Sequence, residues 1–209
     1  MSNKLVTMPG TLFIISAPSG GGKTSLIKAL IAQTTDLEVA ISYTTRKKRP
    51  GEQDGVNYHF VDVPTFEELI KQQAFLEYAQ VFGNYYGTSQ QTVTEKLQTG
   101  TDIILEIDWQ GAQQVRALLP ASIGIFILPP SSQVLAQRLQ QRAQDDAAVI
   151  ARRLAEARTE ISHYSEYEYL VVNEDFNQAT ADLKAIILAQ RLRQAAQKVR
   201  YTELLHNLL

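Results

Sequence analysis

The chain has 209 residues, enough for one globular domain with a sizeable core, and its 44% apolar and 20% charged residues are ordinary for a soluble fold. A formal charge of -2 supplies no global field for a polyanion, and the absence of cysteine excludes disulfides, thiolate metal sites and cysteine nucleophiles. No run approaches the roughly 18 to 20 apolar residues that cross a bilayer, so the expectation is a cytoplasmic protein that binds neither membrane nor nucleic acid. Basic residues cluster only locally, at Arg46-Lys47-Lys48-Arg49 and between Arg138 and Arg158, which suits a small anionic ligand.

"TLFIIS" (Thr11 to Ser16) is a short, β-branched apolar run, predicted as a strand buried on both faces. After "APSGGGKT", Leu26, Ile27, Leu30 and Ile31 recur at helical spacing. Further core strands are predicted at "LEVAIS" (Leu37 to Ser42), "IILEI" (Ile103 to Ile107), "IGIFIL" (Ile123 to Leu128) and "YLVV" (Tyr169 to Val172). Helical patterns separate most of them, which argues for an α/β fold, a parallel sheet flanked by helices.

Two regions interrupt this rhythm. Residues 42–94 are polar and aromatic, with a capping box predicted at Thr65-x-x-Glu68 and a hairpin turn at Gly83-Asn84, and read as a small mixed β subdomain inserted into the core. Residues 131–165 read as a lid of two helices joined around "AQDDAA", with Ile150, Leu154, Ala157 and Ile161 as one apolar stripe. The core would then comprise residues 1–41, 95–130 and 166–209. In its last part, a helical stripe of Leu183, Ile186, Ile187 and Leu192 is expected to pack on the sheet. Leu204, Leu205, Leu208 and Leu209 form an apolar face that either caps the core or joins subunits into a homo-oligomer.

The loop between the first strand and helix carries the chemistry. Gly20, Gly21 and Gly22 let successive backbone N–H groups point at phosphate oxygens, and the following helix adds its positive end. In such a loop Lys23 reaches the β- and γ-phosphates and the Thr24 hydroxyl coordinates Mg²⁺. Ala17 stands where the usual pattern G-x-x-x-x-G-K-[ST] has its first glycine.

"APSGGGKT" (Ala17 to Thr24) resembles the loop of guanylate kinases, in which Ala or Gly precedes Pro-Ser-Gly. "SYTTRKKRPGEQDGVNYHFV" (Ser42 to Val61), "FLEYAQVFGNYYGT" (Phe75 to Thr88), "ILEIDWQGA" (Ile104 to Ala112) and "VVNEDF" (Val171 to Phe176) follow in the order of that family, from about residue 10 to 190. The resemblance implies transfer of the ATP γ-phosphoryl group to GMP and dGMP, with Mg²⁺, in purine metabolism and GMP recycling. It implies that Ala17, Pro18, Ser19, Gly20, Gly21, Gly22, Lys23, Thr24 and Asn173 bind ATP, Asn173 lying near the adenine. Residues 42–94 would bind the monophosphate nucleotide, with Arg46, Arg49, Tyr58 and Tyr86 on the phosphate and Ser42, Glu77, Thr88 and Asp108 on guanine.

Arg138, Arg142 and Arg153 would bring cations from the lid onto the transferring group. Here "RLQQRAQ" departs from the family's R-L-x-G-R-G, with Gln141 and Ala143 at the glycine positions. Glu106 would support Mg²⁺ or play a structural part. Two other functions are weighed against this one. A binding module of the same fold is disfavoured by the intact Gly22-Lys23-Thr24, and a GTPase by the absence of N-K-x-D, which leaves "DWQG" (Asp108 to Gly111) as a chance match to D-x-x-G. Another nucleoside-monophosphate kinase is the nearest alternative.

Overall fold

Every residue of β1 (Leu12–Ser16) is buried, because this strand lies at the middle of a sheet covered on both faces. Phe13 and Ile15 turn to one side and Leu12 and Ile14 to the other, as the two-residue period of a strand requires. This computed structural model describes residues 9–81, 83–142 and 147–209, apart from the side chains of residues 141–149.

Four strands run parallel with β1: β2 (Leu37–Val39), β7 (Asp102–Glu106), β8 (Ile123–Leu128) and β9 (Tyr169–Val172), in the order β2-β7-β1-β8-β9. Leu12 pairs with Ile103 on one side and Phe13 with Ile123 on the other. Parallel neighbours need crossovers, and the helices that supply them cover the sheet. From α1 (Lys23–Ala32) and α7 (Phe176–Arg191), Leu26, Ile27, Leu30, Leu183 and Ile187 close over Phe13, Ile15, Ile104 and Ile125. From α3 (Gln90–Gln98) and α4 (Trp109–Leu118), Val93, Ala112 and Val115 close over Leu12, Ile14, Leu105 and Phe126.

The strand predicted over Leu37–Ser42 stops at Val39. Tyr43 and Thr44 instead form β3 (Tyr43–Thr44) of a second sheet, where the Tyr43 ring meets His59 and Phe75. That mixed sheet adds β4 (His59–Phe60), β5 (Phe75–Val81) and β6 (Asn84–Ser89), in the order β4-β3-β6-β5. The helix α2 (Val63–Lys71) closes it through Phe66, stacked on Phe75 and Tyr85 at 4.5 and 5.3 Å. Asp62, not Thr65, caps this helix, its carboxylate accepting the Thr65 N–H at 2.9 Å. Pro64 in the first turn sets the earlier start, since its missing N–H is harmless there. Val81 pairs with Asn84, so Asn84 belongs to β6 rather than the turn, and Gly83 supplies the left-handed φ of 76°.

The two helices predicted within residues 131–165 are α5 (Ser132–Arg142) and α6 (Ala147–Ser162), packed through Leu135, Leu139, Leu154, Ala157 and Ile161. Their predicted junction at "AQDDAA" lies largely outside the described residues. After α7 come α8 (Gln194–Arg200) and α9 (Thr202–Leu208). Leu192, predicted on the packed stripe, is 68% exposed because α7 ends one residue earlier. Leu204, Leu205, Leu208 and Leu209 are all exposed and cap no core. Among the described residues, no helix is long and apolar enough to cross a membrane.

Candidate active site

The central strand β1 delivers the glycine loop to the carboxyl end of the sheet, between β7 and β8, where open parallel sheets bind ligands. Ser16 donates to the Ile107 carbonyl at 2.8 Å and pins the loop's entrance. Gly20 and Gly22 take left-handed φ values of 85° and 91° that a side chain would resist, and Gly22 begins α1. Ala17 has no positive φ, so the absent glycine costs no backbone strain there. A Cβ on Gly21 would lie 3.0 Å from the Ala17 Cβ, so an alanine at 17 fits because residue 21 is bare. Lys23 donates to the Ile107 carbonyl at 3.2 Å, and the Thr24 hydroxyl donates to Glu106 at 2.5 Å.

Asn173 is buried beneath this loop, where its amide donates to the Gly21 carbonyl at 2.9 Å. A Cβ on Gly22 would stand 2.3 Å from that nitrogen. Its side chain is thus engaged with the loop backbone, whereas the family resemblance placed it beside adenine.

The loop lines a cavity of about 270 Å³ together with Ser42, Arg49, Tyr58, Glu77, Tyr86 and Asp108. Sequence positions 17–24, 42–86 and 106–108 therefore meet in one space. Thr88 gives its hydroxyl proton to Glu77 at 2.6 Å, which leaves Ser42 to donate to Thr88 at 3.1 Å. Glu77 is only 3% exposed, and burial pushes its carboxyl up to about 7, against the pull of the Thr88 hydrogen bond and with a smaller push from Asp108. Asp108 lines the same cavity while capping α4, accepting the Gly111 N–H at 3.0 Å. A Cβ on Gly111 would come within 2.6 Å of a Glu77 carboxylate oxygen. Asp108-x-x-Gly111 thus works as a helix cap and a bare contact surface for Glu77.

The arginines divide. Arg49 lines the cavity. Arg46 presents both guanidinium nitrogens to Glu52, at 2.8 and 3.0 Å, which raises its pKa and lowers that of Glu52. Glu52 also accepts the Arg49 N–H at 2.7 Å, so one carboxylate organises the whole basic turn. Arg138 donates to the Asn173 carbonyl at 3.1 Å, and Arg153 lies partly buried on α6; neither lines the cavity. The side chain of Arg142, like Gln141 and Ala143, lies outside the described residues.

Two contributing acids escaped the sequence reading, Glu52 and Glu160. Glu52 lies three residues past Arg49 and six past Arg46, a spacing compatible with a charge pair across a turn. Glu160 lines the cavity and accepts the Ser19 N–H at 2.8 Å. Its signal was fainter: it shares a helix face with Arg153, seven residues back.

A phosphate loop that shares one cavity with a buried carboxylate and the Ser42 hydroxyl is an arrangement for holding a polyphosphate and a hydrogen-bonding base in one space. Comparison with known proteins agrees. A family model described as guanylate kinase matches residues 9–190. The guanylate kinase of Methylococcus capsulatus is 58% identical over 200 residues, covering 96% of this chain and 98% of that protein. That of Alkalilimnicola ehrlichii is 55% identical over 202 residues, covering 97% and 100%. The crystal structure of guanylate kinase from Anaplasma phagocytophilum matches with a TM-score of 0.76 and 31% identity, over 90% of this chain and 89% of that one. With motifs, fold and cavity in agreement over nearly its whole length, the chain belongs to the guanylate kinase family.

Proposed function

We propose that this protein transfers the γ-phosphoryl group of ATP to the phosphate of GMP, and of dGMP, giving ADP and the corresponding diphosphate. The observation that carries the reading is the Glu77–Thr88–Ser42 chain, whose ends Glu77 and Ser42 line one cavity with Lys23 and the glycine loop. Guanine offers a ring N–H and an exocyclic amine side by side, which suits the Glu77 carboxylate. Adenine carries an acceptor at that ring position and would leave a buried carboxylate partly unpaired, at about 1–3 kcal/mol or more.

The acceptor oxygen is already anionic near neutral pH, so alignment and charge neutralisation, rather than a general base, carry the chemistry. Loop N–H groups and Lys23 hold the ATP phosphates. Arg49, Tyr58 and Tyr86, which line the cavity, hold the acceptor phosphate, joined by Arg46, which Glu52 keeps beside Tyr58 and outside the cavity wall. Arg138, Arg142 and Arg153 belong to the lid and are the cations assigned to the transferring group when both nucleotides are bound, Arg138 and Arg153 standing outside the cavity wall of this structure. Asn173 serves ATP by supporting the loop at Gly21.

Thr24 and Glu106 offer hard oxygen ligands side by side, and no cluster of three acidic or histidine ligands exists among the described residues. That set fits Mg²⁺ carried mainly by nucleotide phosphates, with Thr24 as ligand and Glu106 behind it. When bound, Mg²⁺ supplies charge neutralisation of the phosphate oxygens.

The two sheets and the helix pair support a division into a core (1–41, 95–130, 166–209), an acceptor insert (42–94) and a lid (131–165). The exposed leucines of α9 support self-association through the C-terminus, which sedimentation of the whole protein tests. We assign the protein to the cytoplasm, where ATP and GMP are both available.

The experiment is ADP formation from ATP and Mg²⁺ with GMP, AMP, UMP or CMP as acceptor, beside Lys23→Ala. Turnover with GMP alone, lost in the variant, is expected. Turnover with another base would overturn the role of Glu77, and none from folded protein that binds GMP would leave a binding module.

A further inference from the structure

The phosphate loop is held from a direction that its own motif does not encode. Ser19 sits in the turn closed by the Gly21 N–H and the Pro18 carbonyl, before the glycines, and its own N–H is donated outside that turn. The acceptor of that N–H is Glu160, 141 residues along the chain, on the last turn of α6. The same helix pair touches the loop a second time. A Cβ on Gly20 would lie 3.1 Å from Leu135 and 3.2 Å from Leu139, the two α5 residues that pack against Ala157 of α6. The loop therefore rests on α5 and is tied to α6.

We propose that Glu160 is a positioning residue of the phosphate loop: by accepting the Ser19 N–H it fixes that turn of the loop to helix α6, and so sets how well the loop holds the phosphates of a nucleoside triphosphate. The proposal deepens the phosphotransferase reading and rests on it.

A purely electrostatic role fits poorly. Glu160 lines the cavity that must take the phosphates, where another negative charge opposes the ligand. Burial, and to a smaller degree Asp108 and Glu156, oppose the ionised form of Glu160, while the Ser19 N–H and Lys23 favour it. What the side chain offers in return is reach, an acceptor 2.8 Å from a backbone donor that would otherwise be left without a partner in a partly buried turn. Glutamine has the same reach without the charge. Aspartate has the charge and falls short by one methylene.

The test is calorimetric titration of wild type, Glu160→Gln, Glu160→Asp and Glu160→Ala with a non-hydrolysable ATP analogue and Mg²⁺, and separately with GMP. Glu160→Ala and Glu160→Asp are expected to bind the analogue about tenfold more weakly, Glu160→Gln within threefold of wild type, and all four to bind GMP within twofold of one another. If Glu160→Ala does not fold, the order of Asp and Gln decides. The proposal is overturned if Asp binds as tightly as wild type, if Gln is as weak as Ala, or if GMP affinity falls in parallel. Turnover of wild type with GMP is a separate measurement: wild type that binds the analogue but does not turn over would remove the kinase reading and leave the loop's dependence on Glu160 standing.

Discussion

Replacing Glu77 with glutamine should abolish a loss of stability that the wild type suffers as pH rises from 4.5 to about 7, and should weaken GMP binding. Burial raises this carboxyl from an ordinary 4.5 to about 7, so between those values the folded state holds a proton that the unfolded chain has released. Stability therefore falls as pH rises through that window, and the loss is complete above the folded-state value. A gap of about 2.5 pH units at 1.36 kcal/mol each comes to about 3 kcal/mol, and near-complete burial leaves little solvent screening to discount it. Glutamine does not titrate. The difference in unfolding free energy between Glu77→Gln and wild type should grow in the variant's favour from pH 4.5 to 7, then level off. Urea unfolding of both proteins from pH 4.5 to 8.5 reads this directly. The slope is the test, since the Thr88 hydroxyl can donate to either side chain and any fixed offset cancels. A difference that stays flat with pH, or runs the other way, would refute the argument from burial. Function should move oppositely: Glu77→Gln should raise the KM for GMP at least tenfold at pH 8, because the base then meets an amide instead of two carboxylate lone pairs.

Gly111→Ala should raise the KM for GMP by about tenfold, because its Cβ would press within 2.6 Å of a carboxylate that Thr88 holds in place. Its unfolding free energy should change by less than about 1 kcal/mol, since alanine's helix preference offsets the contact, and a parallel loss of both would refute this account. Glu52→Ala should raise the KM for GMP several-fold with a smaller effect on kcat, by releasing Arg46 and the Arg49 backbone together. A tighter KM would instead identify Glu52 as a competitor of the acceptor phosphate. Asn173→Ala should weaken ATP and GTP as donors by similar factors of about five to ten, since it removes support of the Gly21 carbonyl and not a contact with a base. Selective loss of ATP in steady-state kinetics would return Asn173 to the adenine.

Much of this was legible because strands and loops that carry chemistry leave local signatures. The run at Thr11–Ser16, the three glycines and Lys23-Thr24 are contiguous, and the structure places them as strand, loop and helix. Helix and turn boundaries were less secure. The capping box at Thr65 lost to Asp62 because Pro64 set the start, and the Leu192 stripe failed because α7 ended at Arg191. The strand expected at Leu37–Ser42 split because its second half found aromatic partners in another sheet, a choice invisible to local hydrophobicity.

The sequence by itself determined the class of ligand, since a backbone anion cradle needs only neighbouring glycines, a lysine and a helix start. It also named most of the facing groups, through linked motifs in order. Tertiary structure alone decided what each group touches. Glu77 is an acid whose pKa burial raises, Arg46 is held by Glu52, and the loop is braced by Asn173 and, from α6, by Glu160. The physical reason is separation: Asn173 and Glu160 meet the loop across 152 and 141 residues of chain, and hydrogen bonds at that distance leave no periodicity to read.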